Sequence, residues 1–188
     1  MKISYGKQFL DNKDYKFVLS SLKKPLLSGG QQIIKFEEKI KKFLKTKQVL
    51  VCSSGTAGLH MAFYSLNIKK NDIIIMPTIN FVASYNIASQ YSSKIFFADV
   101  DPISGQMTAK TLIECIKKNK IKKIRVLVTM YLGGDTNNLS EFINLKKKYK
   151  FILIEDACHA FGSKYSYRKK VYNVGNCKYS DICVFSFH

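Results

Sequence analysis

Two stretches of the chain hold the residue types and spacings from which chemistry is made. The first is FILIEDACHAFG over residues 151–162, where an apolar run ends in two carboxylates, Glu155 and Asp156, with His159 three residues past the second. Four consecutive apolar residues, 151–154, predict a strand buried on both faces, as in a parallel sheet flanked by helices. Ligands of open α/β sheets collect just outside the carboxyl ends of the strands, and Asp156 stands at such an end. The plain alternative is that the two acids only start a turn or cap the next segment. The second stretch is Ser53-Ser54-Gly55-Thr56-Ala57, set between an apolar run at 49–52 and a helical pattern containing Leu59, Ala62, Phe63 and Leu66. Strand, small-residue turn and helix together can seat a phosphate on free N–H groups at the positive end of the helix dipole. A simple Ser/Thr cap accounts for one hydroxyl residue but not for three around a glycine. The run is neither a Walker loop nor a G-x-G-x-x-G fingerprint, so neither a nucleoside triphosphate nor NAD is indicated.

Weaker signals surround these two. Phe81 follows a strand expected at 72–76, closed by Pro77, and stands near a helix start. An aromatic there is either a core residue or a stacking platform for a planar ligand. The Gly-rich loop 26–31, LLSGGQ, is either a connector or a backbone that approaches a ligand closely. His60, inside the helix after the SSGTA turn, is expected to be packed or on the surface. Asp99 and Asp101 lack a third acid, a histidine or a cysteine beside them, which favours a strand-end turn over a metal pair.

The elements that must position these residues alternate along the chain. Apolar runs predict strands at 49–52, 72–76, 94–100, 124–130, 151–155 and 182–187. Between them, helical spacing recurs at 14–22 (ended by Pro25), through Ile33, Phe36, Ile40 and 43–44, at Leu112, Ile113 and Ile116, and over 139–149. The basic, Tyr-rich stretch 164–172 suggests a surface hairpin. This alternation predicts an α/β domain with a largely parallel sheet, and no repeat, linker or low-complexity tract divides it.

Composition narrows the classes. The 188 residues make one domain or a little more. The start, MKISYGKQFLDNKDYK, has no apolar core of a secretory signal, and no stretch approaches the ~20 apolar residues of a membrane span. The chain reads as soluble and cytoplasmic. A formal charge of +18 raises nucleic acid as a partner from charge alone. Against that, only Arg125 and Arg168 are arginines and the lysines are spread over many segments, as expected of a solvated surface in a chain shaped by A/T-rich codons. The five cysteines contain no C-x-x-C pair, which predicts reduced, mostly buried thiols.

Taken together and in order, SSGTAGLH, PTINFVAS, FFADVDP, IEDACHAFGS and VFSFH resemble the DegT/DnrJ/StrS-type nucleotide-sugar aminotransferases, which use pyridoxal 5′-phosphate (PLP). The opening ISYGKQFLDNKD and the stretch LLSGGQQIIKFEEKIKKFL resemble that family as well, so the likeness covers the whole chain. It implies the three-layer αβα large domain of the aspartate-aminotransferase fold (PLP fold type I), with a mostly parallel sheet. Carried over residue by residue, it puts the cofactor phosphate on Gly55, Thr56 and Ala57, with Ser186 completing the cup. Phe81 would stack on the pyridine ring, Asp156 would pair with the protonated ring nitrogen, and His159 would lie near the ring's 3′-oxygen. Tyr5 and the loop of Ser28, Gly29 and Gly30 would line the sugar-nucleotide side.

The resemblance also implies what the chain lacks. The family's Schiff-base lysine would fall three residues beyond His188, and the C-terminal small domain is missing, so residues 1–188 are expected to be the N-terminal part of the large domain, inactive alone. The activity implied is transfer of an amino group from glutamate to a keto group, expected at C4, of a UDP-linked sugar for cell-surface polysaccharide or lipopolysaccharide. The subgroup it most resembles forms 4-amino sugars, and the full protein is expected to be a homodimer that uses neither nucleic acid nor membrane. Within the family the other reading is a sugar dehydratase, distinguished by His in place of the lysine.

Overall fold

The computed structural model describes residues 8–92 and 94–187; Tyr5 and His188 lie outside them. In chain order the elements are α1 (Asn12–Leu22), α2 (Gln31–Leu44), α3 (Gly55–Ser65), β1 (Ile73–Pro77), α4 (Ala83–Tyr91), β2 (Lys94–Ala98), α5 (Ala109–Lys118) and β3 (Val126–Met130). A single 3₁₀ turn at Leu132–Gly134 leads to α6 (Leu139–Tyr149), β4 (Ile152–Asp156), the hairpin strands β5 (Lys164–Tyr167) and β6 (Lys170–Asn173), and β7 (Ile182–Val184).

Five strands form one parallel sheet in the order β2-β1-β3-β4-β7. The chain steps one way from β1 to β2 and the other way through β3, β4 and β7. Right-handed crossovers therefore send α4 to one face and α5 and α6 to the other, and the two packed cores show this division. Leu59, Phe63, Ala83 and Ile87 of α3 and α4 pack with Val128 and Ile154 on one face. Leu112, Ile116, Phe142 and Ile143 of α5 and α6 pack with Leu127 and Leu153 on the other. This is a three-layer αβα arrangement. Each fully buried side chain of this size contributes ~1.5–3 kcal/mol, and β4, with Leu153 and Ile154 both fully buried, takes part in both cores. Because the strand order reverses between β1 and β3, the crevice for a ligand opens at the carboxyl ends beside that switch.

Several expectations need correction. Residues 49–52 are apolar yet form no strand: Leu50 is 72 % exposed, and the Val51 N–H donates to Glu37 Oε1 at 2.9 Å instead of joining a ladder. A strand needs a neighbour to pair its backbone, and among the described residues none runs alongside this segment. For the same reason Cys52 is exposed. The last strand stops at Val184, short of the expected 187, and β2 stops at Ala98, short of the expected 100. Helix α1 forms, capped by Asp11 and Asp14, but buries no residue. The hairpin turns on Arg168 and Lys169, both at positive φ (51° and 60°), which is the type I′ geometry that suits strand twist. Its Tyr165 and Tyr167 are buried against the core, so only its outer face is surface. Among the described residues no helix is long and apolar enough to cross a membrane.

Candidate functional site

The site begins at the carboxyl end of β4, where the ladder aligns Met130, Asp156 and Val184 across three strands. Successive strand residues point to opposite faces, so the two acids part company. Asp156 turns to the α3/α4 side and is 1 % exposed. There Ser84 Oγ, in the first turn of α4, donates to its Oδ2 at 3.3 Å, and the Cys158 N–H donates to its Oδ1 at 3.3 Å. Glu155 turns to the α6 side, where Tyr131 Oη donates to Oε1 at 2.8 Å and Ser180 Oγ donates to Oε2 at 2.9 Å. Burial raises Glu155 above the usual carboxyl range, and the two hydroxyl donors oppose that rise. Burial first, and then the neighbouring Glu155 charge, push the Tyr131 hydroxyl well above the usual tyrosine range.

The SSGTA turn does start a helix beside this strand end. Ser54 is the N-cap of α3, its Oγ accepting the Ala57 N–H at 3.1 Å, while the other first-turn N–H groups lie outside the helix's own ladder. A Cβ on Gly55 would meet Cys158 Sγ at 2.9 Å and Ser186 Cβ at 3.5 Å, so the glycine is what lets the helix start sit against both. One turn on, a Cβ on Gly58 would come 2.9 Å from Val184 Cγ1. Gly55, Thr56, Ala57 and Ser186 are thus gathered at one end of the sheet, with Asp156 beside them through Cys158. Thr56 is exposed there. Burial and the Asp156 charge push the Cys158 thiol up to about 12.

Phe81 lies in the turn between β1 and α4, 65 % exposed, three residues before Ser84, whose N–H donates to the Phe81 carbonyl at 3.3 Å. It is not a core residue. On the other side, the Gly133 N–H donates to His159 Nδ1 at 3.4 Å, so the neutral imidazole has its proton on Nε2. Gly134, at φ 82°, would clash through a Cβ with the His159 carbonyl oxygen at 2.9 Å. This loop after β3 and the Phe81 turn after β1 flank the switch point of the sheet. The Ser28–Gly29–Gly30 loop is held by local contacts: Gly29 has φ 64°, and a Cβ on Gly30 would meet the Leu26 carbonyl oxygen at 2.9 Å. Those contacts do not bring it to Asp156, and Tyr5 lies outside the described residues.

Sequence reasoning missed four participants, namely Ser84, Cys158, the Gly133 N–H and Asn80. The first three are legible only as neighbours of Phe81, Asp156 and His159. The Asn80 amide is buried, and neither its Oδ1 nor its Nδ2 has a partner, an uncommon state for a folded protein. No group of three or more potential metal ligands is found among the described residues. Asp101 is a turn acid, accepting from the Ile103 and Ser104 N–H groups at 3.1 and 2.9 Å.

A family model for the DegT/DnrJ/EryC1/StrS aminotransferases matches residues 8–188. The chain belongs to this family. It is 33 % identical over 186 residues to the UDP-4-amino-4,6-dideoxy-N-acetyl-beta-L-altrosamine transaminase of Campylobacter jejuni, covering 99 % of this chain and 47 % of that protein. Among solved structures, Helicobacter pylori PseC, an aminotransferase involved in pseudoaminic acid biosynthesis, superposes with a TM-score of 0.82 at 27 % identity, over all of this chain and 48 % of that one. The PLP form of the putative sugar aminotransferase Spr1654 from Streptococcus pneumoniae has the same fold, with a TM-score of 0.82 at 20 % identity, over all of this chain and 49 % of that one. The chain therefore spans about half the length of the curated relatives it matches. The αβα layers are those of PLP fold type I.

Proposed function

We propose that this chain is the N-terminal part of the PLP-binding large domain of a nucleotide-sugar aminotransferase. The observation behind this reading is the placement of Asp156. A buried carboxylate and the start of α3 share one sheet end, joined through Cys158 and Ser186. The residues fit the cofactor on grounds of their own. Gly55 lets the start of α3 lie against Cys158 and Ser186, where any Cβ would meet the Cys158 sulfur, the first turn of α3 suits a phosphate dianion, and Phe81 offers an exposed ring face. The unpartnered Asn80 amide supplies unused polar atoms near the same end. When bound, PLP supplies an electron sink for the pair left by the departing α-proton of the substrate.

The chain's own groups divide the remaining tasks. Gly55, Thr56, Ala57 and Ser186 anchor the phosphate. Asp156, 1 % exposed, holds a proton on the ring nitrogen by opposite charge. His159, its Nδ1 engaged by Gly133, presents Nε2–H as a donor to the ring's 3′-oxygen. Phe81 stacks on the ring, while Tyr5, Ser28, Gly29 and Gly30 lie toward the sugar nucleotide.

The reaction proposed replaces the C4 keto oxygen of a UDP-linked deoxy sugar by an amino group from glutamate, which leaves as 2-oxoglutarate. It takes place in the cytoplasm and feeds a cell-surface glycan. The exposed apolar side chains of α1, Phe17 and Leu19 among them, agree with a homodimeric full-length protein. Sedimentation is expected to give a dimer, and a fully active monomer would count against the reading. The deciding assay incubates the full-length protein with PLP, glutamate and a UDP-4-keto-6-deoxy sugar. Equal yields of 2-oxoglutarate and amino sugar are expected. Loss of water from the sugar without gain of nitrogen would select the dehydratase instead, and failure to retain PLP would end both readings.

A further inference from the structure

Glu155 is a buried acid that the chemistry above does not use. It is 2 % exposed, and it meets two hydroxyls that come from either side of β4. Tyr131 lies just past the end of β3, two residues before the Gly133 N–H that holds His159. Ser180 lies two residues before β7, the strand that leads to Ser186. Asp156 is the next residue of β4 itself. We propose that Glu155 is a positioning residue, a clamp that ties the carboxyl end of β3 and the entrance of β7 to β4 and so sets Asp156, His159 and Ser186 relative to one another.

The need for such a clamp lies in β7. Its ladder with β4 has three paired residues, and a short ladder resists sliding weakly. A side-chain tether at its entrance supplies what the ladder lacks. Packing alone does not call for an acid here, because buried ionisable groups are commonly matched or bettered in stability by apolar residues of similar volume. The titratable groups around Glu155 are Tyr131, Tyr165, Cys183 and Cys177, none of them a cation, and burial raises its carboxyl above the ordinary value. A Gln, neutral and of the same shape, can accept from one hydroxyl and donate to the other.

This inference rests on the functional reading, and the test separates the two. In the full-length protein, Glu155→Met keeps volume and removes both bonds, while Glu155→Gln keeps a two-point contact. With Met the PLP dissociation constant is expected to rise ~10-fold or more, the scale on which outer-shell partners act, and the visible circular dichroism of bound PLP to fall. With Gln both should stay within ~3-fold of wild type. Hydrogen exchange of the apo protein should quicken in the Met variant at residues 131–134 and 184–187 and nowhere else. Should Glu155→Met fail to fold, Ser180→Ala takes its place, and faster exchange confined to 184–187 with weaker PLP retention is expected. A Met or Ala variant that loses only melting temperature, with wild-type PLP affinity, dichroism and local exchange, refutes the clamp while leaving the aminotransferase standing. A wild-type protein that binds no PLP refutes the function, and the exchange pattern then decides the clamp by itself.

Discussion

Asp156→Asn is expected to move stability and catalysis in opposite directions. In the fold, Asp156 is 1 % exposed and accepts two bonds, from Ser84 Oγ and the Cys158 N–H, both 3.3 Å long. Charge-assisted bonds to carboxylates usually measure about 2.5–2.9 Å, so both are long. Burying an ion costs several kcal/mol, and a well-formed bond to a charged group returns about 1.5–3 kcal/mol; two long bonds leave part of the cost unmet. Asn keeps both contacts, since its oxygen can accept from Cys158 and its amide can donate to Ser84, whose hydroxyl works either way. The apo protein should therefore be unchanged or up to about 1 kcal/mol more stable, read by thermal or urea unfolding. Catalysis should suffer, because the negative charge opposite the ring nitrogen is lost where no solvent can replace it. Removing one preorganised electrostatic group costs about 10²–10³ in kcat, or about 2.7–4 kcal/mol. The assay is kcat at saturating glutamate and sugar nucleotide, with PLP retention followed by absorbance. Near wild-type turnover would remove Asp156 from the mechanism, and an apo protein destabilised by more than about 2 kcal/mol would show that its carboxylate is better satisfied than the two long bonds indicate.

Other substitutions and conditions probe neighbouring parts of the site. Thr56→Ala should weaken PLP retention by ~10-fold or more, the cost of one hydrogen bond to a charged group, with little loss in kcat once PLP saturates, as equilibrium dialysis and kinetics can show. Gly55→Ala sets a methyl group 2.9 Å from Cys158 Sγ, so a loss of about 1–3 kcal/mol in stability is expected from overpacking, together with weaker PLP binding. Burial and Asp156 move the Cys158 thiol from 9.0 to about 12. At pH 8 its thiolate is then ~10³-fold scarcer than in the unfolded chain. The greater nucleophilicity of a more basic thiolate returns about half of that on a logarithmic scale. Alkylation of Cys158 should be ~30-fold slower in the native protein than in urea, and equal rates would contradict the burial and charge assigned to it. Random duplex DNA should bind weakly and detach at physiological salt, as contacts made only through phosphate neutralisation do; tight, sequence-selective binding would overturn the enzyme reading.

Much of this architecture is written in local sequence because local physics decides it. Runs such as 73–76 and 151–154 can be buried on both faces only in a sheet covered by helices, and their alternation with helical spacing specifies a parallel sheet. The capping hydroxyls around Gly55 mark a helix start, and Asp156 at the end of an apolar run marks a strand end. The same reasoning failed at 49–52, where an apolar run without a pairing neighbour stays outside the sheet and mostly exposed, since ladder formation is a property of two strands. Alternation along β4 places Glu155 and Asp156 on opposite faces, but which face belongs to α3 and α4 is settled by the reversal of strand order between β1 and β3 and the handedness of the crossovers. The bond from Ser84 to Asp156 joins residues 72 apart, and the contacts of Gly55 with Cys158 and Ser186 span more than 100 positions. Such meetings depend on how whole elements pack, so the types of the site residues are legible in the sequence, while their juxtaposition, the burial of Asp156 and the clamp on Glu155 exist only in the folded chain.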